Sequence, residues 1–371
     1  MSDRFLEFFI TPEMFDHTKL RELAGPNGWL LFVACNAGSE IARQVKDEYE
    51  SLLAEKGSHL QEVPLLGTEE EPITRVFSDT ESCPRIGLHV AGSDAFVFQC
   101  AQEKVTGRSV NENVQQLLQV CRTLRAHRAK TITVVLPYIP YSRQDKPTFL
   151  KREATLASLF ADQLRVAGVD IILTYHPHTM ALDGFYEPAM TFVALSGIDL
   201  FIQIFEPFRG KKEVMAVSTD AGGAKFTVHF ANAMDITYAI TSKFRDHQGK
   251  ADLLGVVGDI EGKRVALVTD DETVTGSSIL KTVETLHDRY GIEEIHVAIS
   301  HAKIDGESLQ GLVRAHEKCG LKTLHVTDTV PQRLEFSELD FVVTHRLARR
   351  FATTINRLHY NQSVSELFYK L

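Results

Sequence analysis

From Arg264 to Ile279 the chain reads RVALVTDDETVTGSSI, an order of residues that few architectures accommodate. Val265, Ala266, Leu267 and Val268 form a short, β-rich apolar run without charge, which predicts a buried parallel strand. The run stops at two adjacent acids, Asp270 and Asp271. A turn rich in small and hydroxylated residues follows, with Thr273, Thr275, Gly276, Ser277 and Ser278, and then Ile279, Val283 and Leu286 recur at helical spacing. The N–H groups of such a turn, together with the start of the helix, attract a phosphate. The two carboxylates at the carboxyl end of the strand can accept hydrogen bonds from vicinal hydroxyls. A phosphorylated sugar meets both demands. The plain alternative is a strand-to-helix turn whose acids cap the helix.

Composition narrows the setting. At 371 residues the chain is long enough for two domains, each with its own core. Its 44% hydrophobic and 24% charged residues are ordinary for a globular protein. A net charge of −9 provides no overall basic field for nucleic acid or acidic lipid, so neither is expected as a partner. No apolar stretch approaches the length of a membrane span. The start, MSDRFLEFF, lacks the pattern of a signal peptide. The five cysteines are scattered without CxxC spacing, which points to reduced thiols and a cytoplasmic location.

The rest of the chain alternates strand and helix patterns. Residues 1–28 are weakly patterned and read as a surface extension. A strand at Leu30–Ala34 leads into an amphipathic helix opened by Ser39 and Glu40, and 56–72 is a polar loop. ITRVFSDTES, residues 73–82, is a strand ending in a turn that exposes Phe77, Asp79 and Glu81. Strands are expected at Asp94–Gln99, Thr131–Leu136 and Asp170–Thr174, with helices over 110–129 and 153–166. After Leu136 comes PYIPYSRQDKP, whose prolines rule out helix. Arg143, Gln144, Asp145 and Lys146 therefore sit on a loop beyond a strand's carboxyl end, where open α/β sheets bind ligands. YHPHTMALDGFYEP brings His176 and His178, but the neighbourhood lacks the further ligands of a structural zinc.

The alternation restarts near Val193–Gly197. A strand at Glu213–Val217 precedes STDAGGAKF, in which Asp220, Gly222, Gly223 and Lys225 make a small turn opening a helix, a second anion site. Ile236–Ile240 is a strand that ends in a polar, mobile segment, TSKFRDHQGKAD, carrying Lys243 and Arg245. A strand at Glu294–Ser300, a helix near Leu309–Val313, a strand near Leu324 and a helix at Arg346–Leu358 complete the pattern.

These motifs together carry a resemblance. The TDDETVTGSS stretch resembles the ribose-5-phosphate loop of the phosphoribosyltransferase superfamily. From Leu30 to the terminal SVSELF the chain is similar to the ribose-phosphate pyrophosphokinase (PRPP synthetase) family. The resemblance implies that Phe77 stacks on the adenine of ATP held by a neighbouring subunit, while Asp79 and Glu81 accept from its amino group. The site is then completed across an interface of a homo-oligomer, a dimer or hexamer. SRQD resembles the family's YARQD run, which assigns Arg143 to the ATP phosphates and gives Gln144 and Asp145 to the nucleotide, with Arg152 following. Counting back from Gly184 places His178 on the catalytic histidine that touches ATP phosphates and Mg2+. His176 stands where the family has Asp, and Glu187 and Asp220 are the acids expected near the metal. Asp220, Gly222, Gly223 and Lys225 match the family's pyrophosphate turn. Lys243 and Arg245 match its Lys-x-Arg, which stabilises charge in the transition state. Asp270, Asp271 and Thr273 to Ser278 hold ribose 5-phosphate, although Val274 replaces an acid there.

The implied fold is α/β, two similar phosphoribosyltransferase-like lobes, each a mostly parallel sheet flanked by helices. The lobes span 1–194 and 195–371, with the last segment, about 358–371, returning to the first. The implied reaction moves the diphosphoryl group of Mg-ATP to ribose 5-phosphate, giving PRPP and AMP. Two other readings stay open: a catalytically weak homologue that assembles with an active enzyme, and a base phosphoribosyltransferase.

Overall fold

A computed structural model describes residues 23–60, 62–102, 107–148, 150–245, 251–304 and 306–367. The first lobe carries β1 (Ala24–Gly25), β2 (Gly28–Ala34), helix α1 (Ser39–Glu55), β3 (Leu65–Leu66), β4 (Thr74–Val76), β5 (Ser82–Pro84), β6 (Ser93–Phe98), α2 (Val110–Ala126), β7 (Thr131–Leu136), α3 (Leu156–Ala167), β8 (Ile171–Tyr175), α4 (Asp183–Tyr186) and β9 (Thr191–Leu195). Its seven-stranded sheet runs β1-β2-β6-β7-β8-β9, with β3 beside β2, and only β1 is antiparallel. Strands β4 and β5 form a separate antiparallel hairpin with Phe77 at its turn.

Helix α5 (Ile198–Phe205) leads into the second lobe. There follow β10 (Val214–Ser218), α6 (Ala224–Met234), β11 (Thr237–Arg245), β12 (Ala251–Gly258), β13 (Val265–Thr273), α7 (Ser277–Tyr290), β14 (Glu294–Ala302), α8 (Gly306–Lys318), β15 (Leu321–Thr327), α9 (Leu334–Ser337), β16 (Val342–His345) and α10 (Ala348–His359). The second sheet runs β12-β11-β10-β13-β14-β15-β16, and only β12 is antiparallel. Both lobes are thus α/β, as the sequence pattern predicts.

Side-chain alternation explains why each sheet needs helices on both faces. In β2, Leu31 and Val33 face a core shared with α2 and α3, whereas Leu30, Phe32 and Ala34 face a second core. That second core is joined by α1, α5, α6 and α10, so it welds the two lobes together. A third core fills the far face of the second sheet under α7 and α8. Helix α10 lies on α1. It is anchored by Asn356 Nδ2 to Tyr49 Oη at 2.9 Å and by His359 Nδ1 to Asp94 Oδ2 at 2.8 Å.

Several local expectations change. Residues 24–28 are part of the first sheet rather than a surface extension, and the loop over 56–72 contains β3. Helix α3 begins at Leu156, not Glu153, because the Glu153 carboxylate instead accepts from the Thr148 N–H at 3.0 Å. Strand β13 continues through both acids to Thr273. The largest change concerns Lys243 and Arg245. They lie in β11, paired with Leu254 and Ala251 of β12, and not on a mobile polar segment. The apolar stretch LLGVV within β12 supplies the missing ladder and carries the strand past its polar residues. The side chains of Lys243 and Arg245, and residues 246–250, 1–22 and 368–371, lie outside what the structure describes.

Candidate active site

The carboxyl ends of the two sheets face one another, and the sequence-selected motifs collect on either side. On the first lobe, the loop after β7 presents Arg143 and Gln144 exposed and Asp145 half-buried, with Arg152 exposed further on. The loop after β8 presents His176 and His178. On the second lobe stand the Asp220 turn after β10 and the acids of β13.

Several contacts join the sides directly, and the first is between a histidine and an acid. His178 Nδ1 lies 2.6 Å from Asp271 Oδ2. The hydrogen bond to Asp271, opposed by partial burial, raises the His178 pKa. Burial works against ionisation of Asp271, yet the hydrogen bonds from His178 and Asp270 outweigh it and hold the carboxyl well below the usual range. Asp270 moves the other way. Burial comes first, then the neighbouring Asp271 charge, and together they push its pKa well up. Asp270 also accepts from the Thr219 hydroxyl. The two neighbouring carboxyls are thus pushed apart, with Asp271 the more acidic of the pair.

The small-residue turn is shaped by backbone and hydroxyls. Gly276 adopts φ 68°, a conformation that only glycine takes at low cost, and stands at the start of α7. Its N–H donates to Thr273 Oγ1 at 3.1 Å. Thr275 Oγ1 lies 2.9 Å from Ser277 Oγ, and the Ser308 hydroxyl donates to the Thr275 carbonyl. Val274, Thr275 and Ser277 are exposed, Ser278 half-buried. At the other turn, the Asp220 carboxylate accepts from the N–H groups of Gly222 at 2.8 Å and Gly223 at 3.1 Å. An internal anion thus holds the donors that the sequence reading gives to a pyrophosphate. Lys225 is exposed one turn on.

His176 is not a surface residue. It is 7% exposed, with φ 39°, and its Nδ1 lies 2.6 Å from Ser300 Oγ. It stacks on Phe226 at 4.4 Å, and its carbonyl accepts from His301 Nε2 at 3.0 Å. A Cβ at Gly197 would come 2.3 Å from its ring nitrogen, so that position must be glycine. Burial lowers the His176 and His301 pKa values to about 4, and both rings are neutral near pH 7.

Three residues missing from the sequence reading complete the cleft floor. Glu272 pairs through Oε2 with Lys303 Nζ at 2.6 Å and through Oε1 with Arg143 Nε at 2.8 Å. Lys303 Nζ also donates to Tyr138 Oη at 2.9 Å. The signal was present: Glu272 extends the acid pair, and Lys303 sits between Ala302 and Ile304 directly after a buried strand.

Among the described residues, His178, Asp271 and Glu272 place ligand atoms within 4.8 Å of one another. Two cations already share the Glu272 carboxylate, which leaves Asp271 and His178 as donors. The Asp271 carboxylate, completed by phosphate oxygens and water, suits a hard divalent cation such as Mg2+, for which the His178 imidazole is the softer, weaker donor. Glu187 and Asp220 lie outside this cluster. Glu187 is exposed at the end of α4. Phe77, Asp79 and Glu81 are also exposed, with Phe77 at 53%, on the β4–β5 hairpin.

Comparison with known proteins agrees with this layout. The family model for the N-terminal domain of ribose phosphate pyrophosphokinase matches residues 30–168, and that for the phosphoribosyl synthetase-associated domain matches residues 212–369. The ribose-phosphate pyrophosphokinase of Fusobacterium nucleatum is 31% identical over 296 residues, 79% of this chain and 88% of that protein. That of Caldanaerobacter subterraneus is 30% identical over 292 residues, with the same coverage. The crystal structure of phosphoribosylpyrophosphate synthetase from Mycobacterium smegmatis superposes with a TM-score of 0.75 at 27% identity, covering 90% of this chain and 99% of that one. With paired α/β lobes, a histidine meeting the acids of a sugar-phosphate-type loop, and this level of identity along most of its length, the chain belongs to the ribose-phosphate pyrophosphokinase family.

Proposed function

We propose that this chain is a ribose-phosphate diphosphokinase, which moves the β,γ-diphosphoryl group of Mg-ATP to the anomeric hydroxyl of ribose 5-phosphate. The observation that carries the reading is the His178–Asp271 contact, which brings a nucleotide-side loop and a sugar-side loop into one cleft. In the reaction the anomeric oxygen bonds to the β-phosphorus and the α,β-bridging P–O bond breaks. The products are PRPP and AMP.

Each side chain then has work that suits its surroundings. Asp271, held ionised, and Asp270 accept hydrogen bonds from the ribose hydroxyls. The N–H and hydroxyl groups of Thr273, Thr275, Gly276, Ser277 and Ser278 hold the 5-phosphate at the start of α7. Val274 places no acid beside that phosphate. The exposed guanidinium of Arg143, with Gln144, Asp145 and Arg152 nearby, meets the nucleotide. Asp220 releases the Gly222 and Gly223 N–H groups to the diphosphate, and Lys225 adds positive charge there. Lys243, Arg245 and His178 offset charge that develops on the transferred phosphates. Asp271 and His178, with the ATP phosphates and with Glu187 and Asp220 as further candidate acids, would hold Mg2+, which would supply further neutralisation.

Phe77, Asp79 and Glu81 on an exposed hairpin suit a homo-oligomer, a dimer or hexamer, in which each hairpin completes a neighbour's ATP site. A domain division near 194/195 is supported by the strands, since those of the first sheet run through Leu195 and those of the second start at Val214. No helix among the described residues is long and apolar enough to cross a membrane. Scattered cysteines without CxxC spacing suit the reducing cytoplasm.

The test is AMP formation by purified protein with Mg-ATP and ribose 5-phosphate. A protein silent with several pentose phosphates overturns the reading and favours a partner-dependent, catalytically weak homologue.

A further inference from the structure

The cleft contains a buried ion pair that the proposed chemistry does not use. Glu272 and Lys303 are each 5% exposed at the side chain, and both belong to the second lobe. From there they reach the first lobe at two points on one loop. Lys303 Nζ bonds Tyr138 Oη at 2.9 Å and lies 4.0 Å from the centre of its ring. Glu272 Oε1 pairs with Arg143 Nε at 2.8 Å, five residues further along. The Arg143 side chain is 58% exposed, so this charge contact at its inner nitrogen, an ion pair rather than a hydrogen bond, leaves much of the guanidinium accessible. A free arginine of this length has many rotamers, and fixing it before substrate arrives removes an entropic cost from binding.

We propose that Glu272 and Lys303 form an interlobe clamp that positions Arg143, and that Glu272 is a positioning residue rather than a metal ligand. Lys303 is too buried to meet substrate itself. Its ammonium group holds one oxygen of Glu272 in place, and Glu272 in turn orients Arg143. The clamp also fixes the spacing between the nucleotide loop and strand β13, where the sugar-binding acids stand. Two buried charges can be removed together with little loss of stability, whereas removing one strands the other, so a purely structural pair would leave ATP affinity unchanged in the double variant.

The inference rests on the diphosphokinase reading, and the experiment keeps the two apart. Glu272→Gln, Lys303→Met, the double variant and Arg143→Ala are compared with the parent. The readings are melting temperature, ATP affinity by calorimetry, Mg2+ half-saturation, and steady-state rates of AMP formation. The expected result is that the double variant melts close to the parent while ATP affinity and turnover each fall about tenfold. The requirement for ribose 5-phosphate should change less than twofold. Adding the double substitution to Arg143→Ala should produce no further loss, since the clamp acts through that arginine. Parent-like ATP affinity in the double variant would overturn the clamp. So would a shift in Mg2+ half-saturation with Glu272→Gln that Lys303→Met does not share. If the double variant melts early, Arg143→Lys decides: it keeps the charge but not the Nε contact, and parent-like ATP affinity again overturns the proposal. An inactive parent instead removes the diphosphokinase reading, and calorimetry with ATP still reports on the clamp.

Discussion

Two histidine–aspartate pairs cross between distant parts of this molecule, and they share a chemistry but not a surrounding. His359 and Asp94 meet at 2.8 Å with side chains 0% and 1% exposed. His178 and Asp271 meet at 2.6 Å with side chains 36% and 18% exposed. In the sealed pair, burial raises the Asp94 pKa even against the pull of His359. In the open pair, hydrogen bonding overcomes burial and Asp271 stays ionised. The difference teaches that solvent access, rather than residue type, decides whether such a pair fastens a fold or serves a reaction.

Substitution separates the two. Asp94→Ala leaves a buried His359 nitrogen without its partner and should cost about 1–3 kcal/mol of stability in denaturant titrations. The rate of AMP formation per folded molecule should be unchanged. His178→Ala should do the reverse. Turnover should fall roughly 10²–10³-fold, about 3–4 kcal/mol of barrier, while the melting temperature moves by only a few degrees. A stability loss as large as that of Asp94→Ala would erase the contrast.

A third environment lies between these. His176 and His301 are buried against hydroxyls and rings, with pKa values lowered by burial to about 4. The unfolded chain binds protons at these positions more readily than the fold does. Stability should therefore fall as pH drops from about 6.5 toward 4, by up to about 1.4 kcal/mol per pH unit for each ring. His301→Gln should flatten that slope in urea titrations at several pH values. An unchanged slope would assign the acid sensitivity elsewhere.

The smallest effect is spectroscopic. Because Asp271 raises the His178 pKa, the ring's stabilising contribution is complete below 6.5 and is lost as pH rises through the raised value. An NMR titration should place the His178 midpoint above 6.5 and, in Asp271→Asn, nearer to it. Identical midpoints would show that the pair does not couple.

Much of this arrangement could be read from residue order. The alternation of strand and helix patterns, and the acids closing VALVT, pointed to two α/β lobes and to Asp270 and Asp271. What escaped depends on contacts far apart in sequence. His176 looked like a polar loop residue because Ser300, Phe226 and Gly197, which enclose it, come from other elements. Lys303 looked like any lysine until Glu272 and Tyr138 gave it a buried place. The polar stretch around Lys243 and Arg245 carries no apolar period to mark a strand, although a neighbouring strand satisfies its backbone.

The packing of α10 on α1 has a consequence for how the protein is made. Ile41, Val45 and Tyr49 find Phe351 and Ile355 only after roughly 300 further residues have left the ribosome. At about 5–20 residues per second that is an interval of roughly 15–60 s. For that time the emerging first lobe lacks the apolar layer that α10 adds to the core of α1, which until then rests only on its own sheet through contacts such as Tyr49 on Phe32. Synthesis should be the period when this chain most needs a chaperone, and pausing translation shortly before Ala348 should increase aggregation more than pausing after His359.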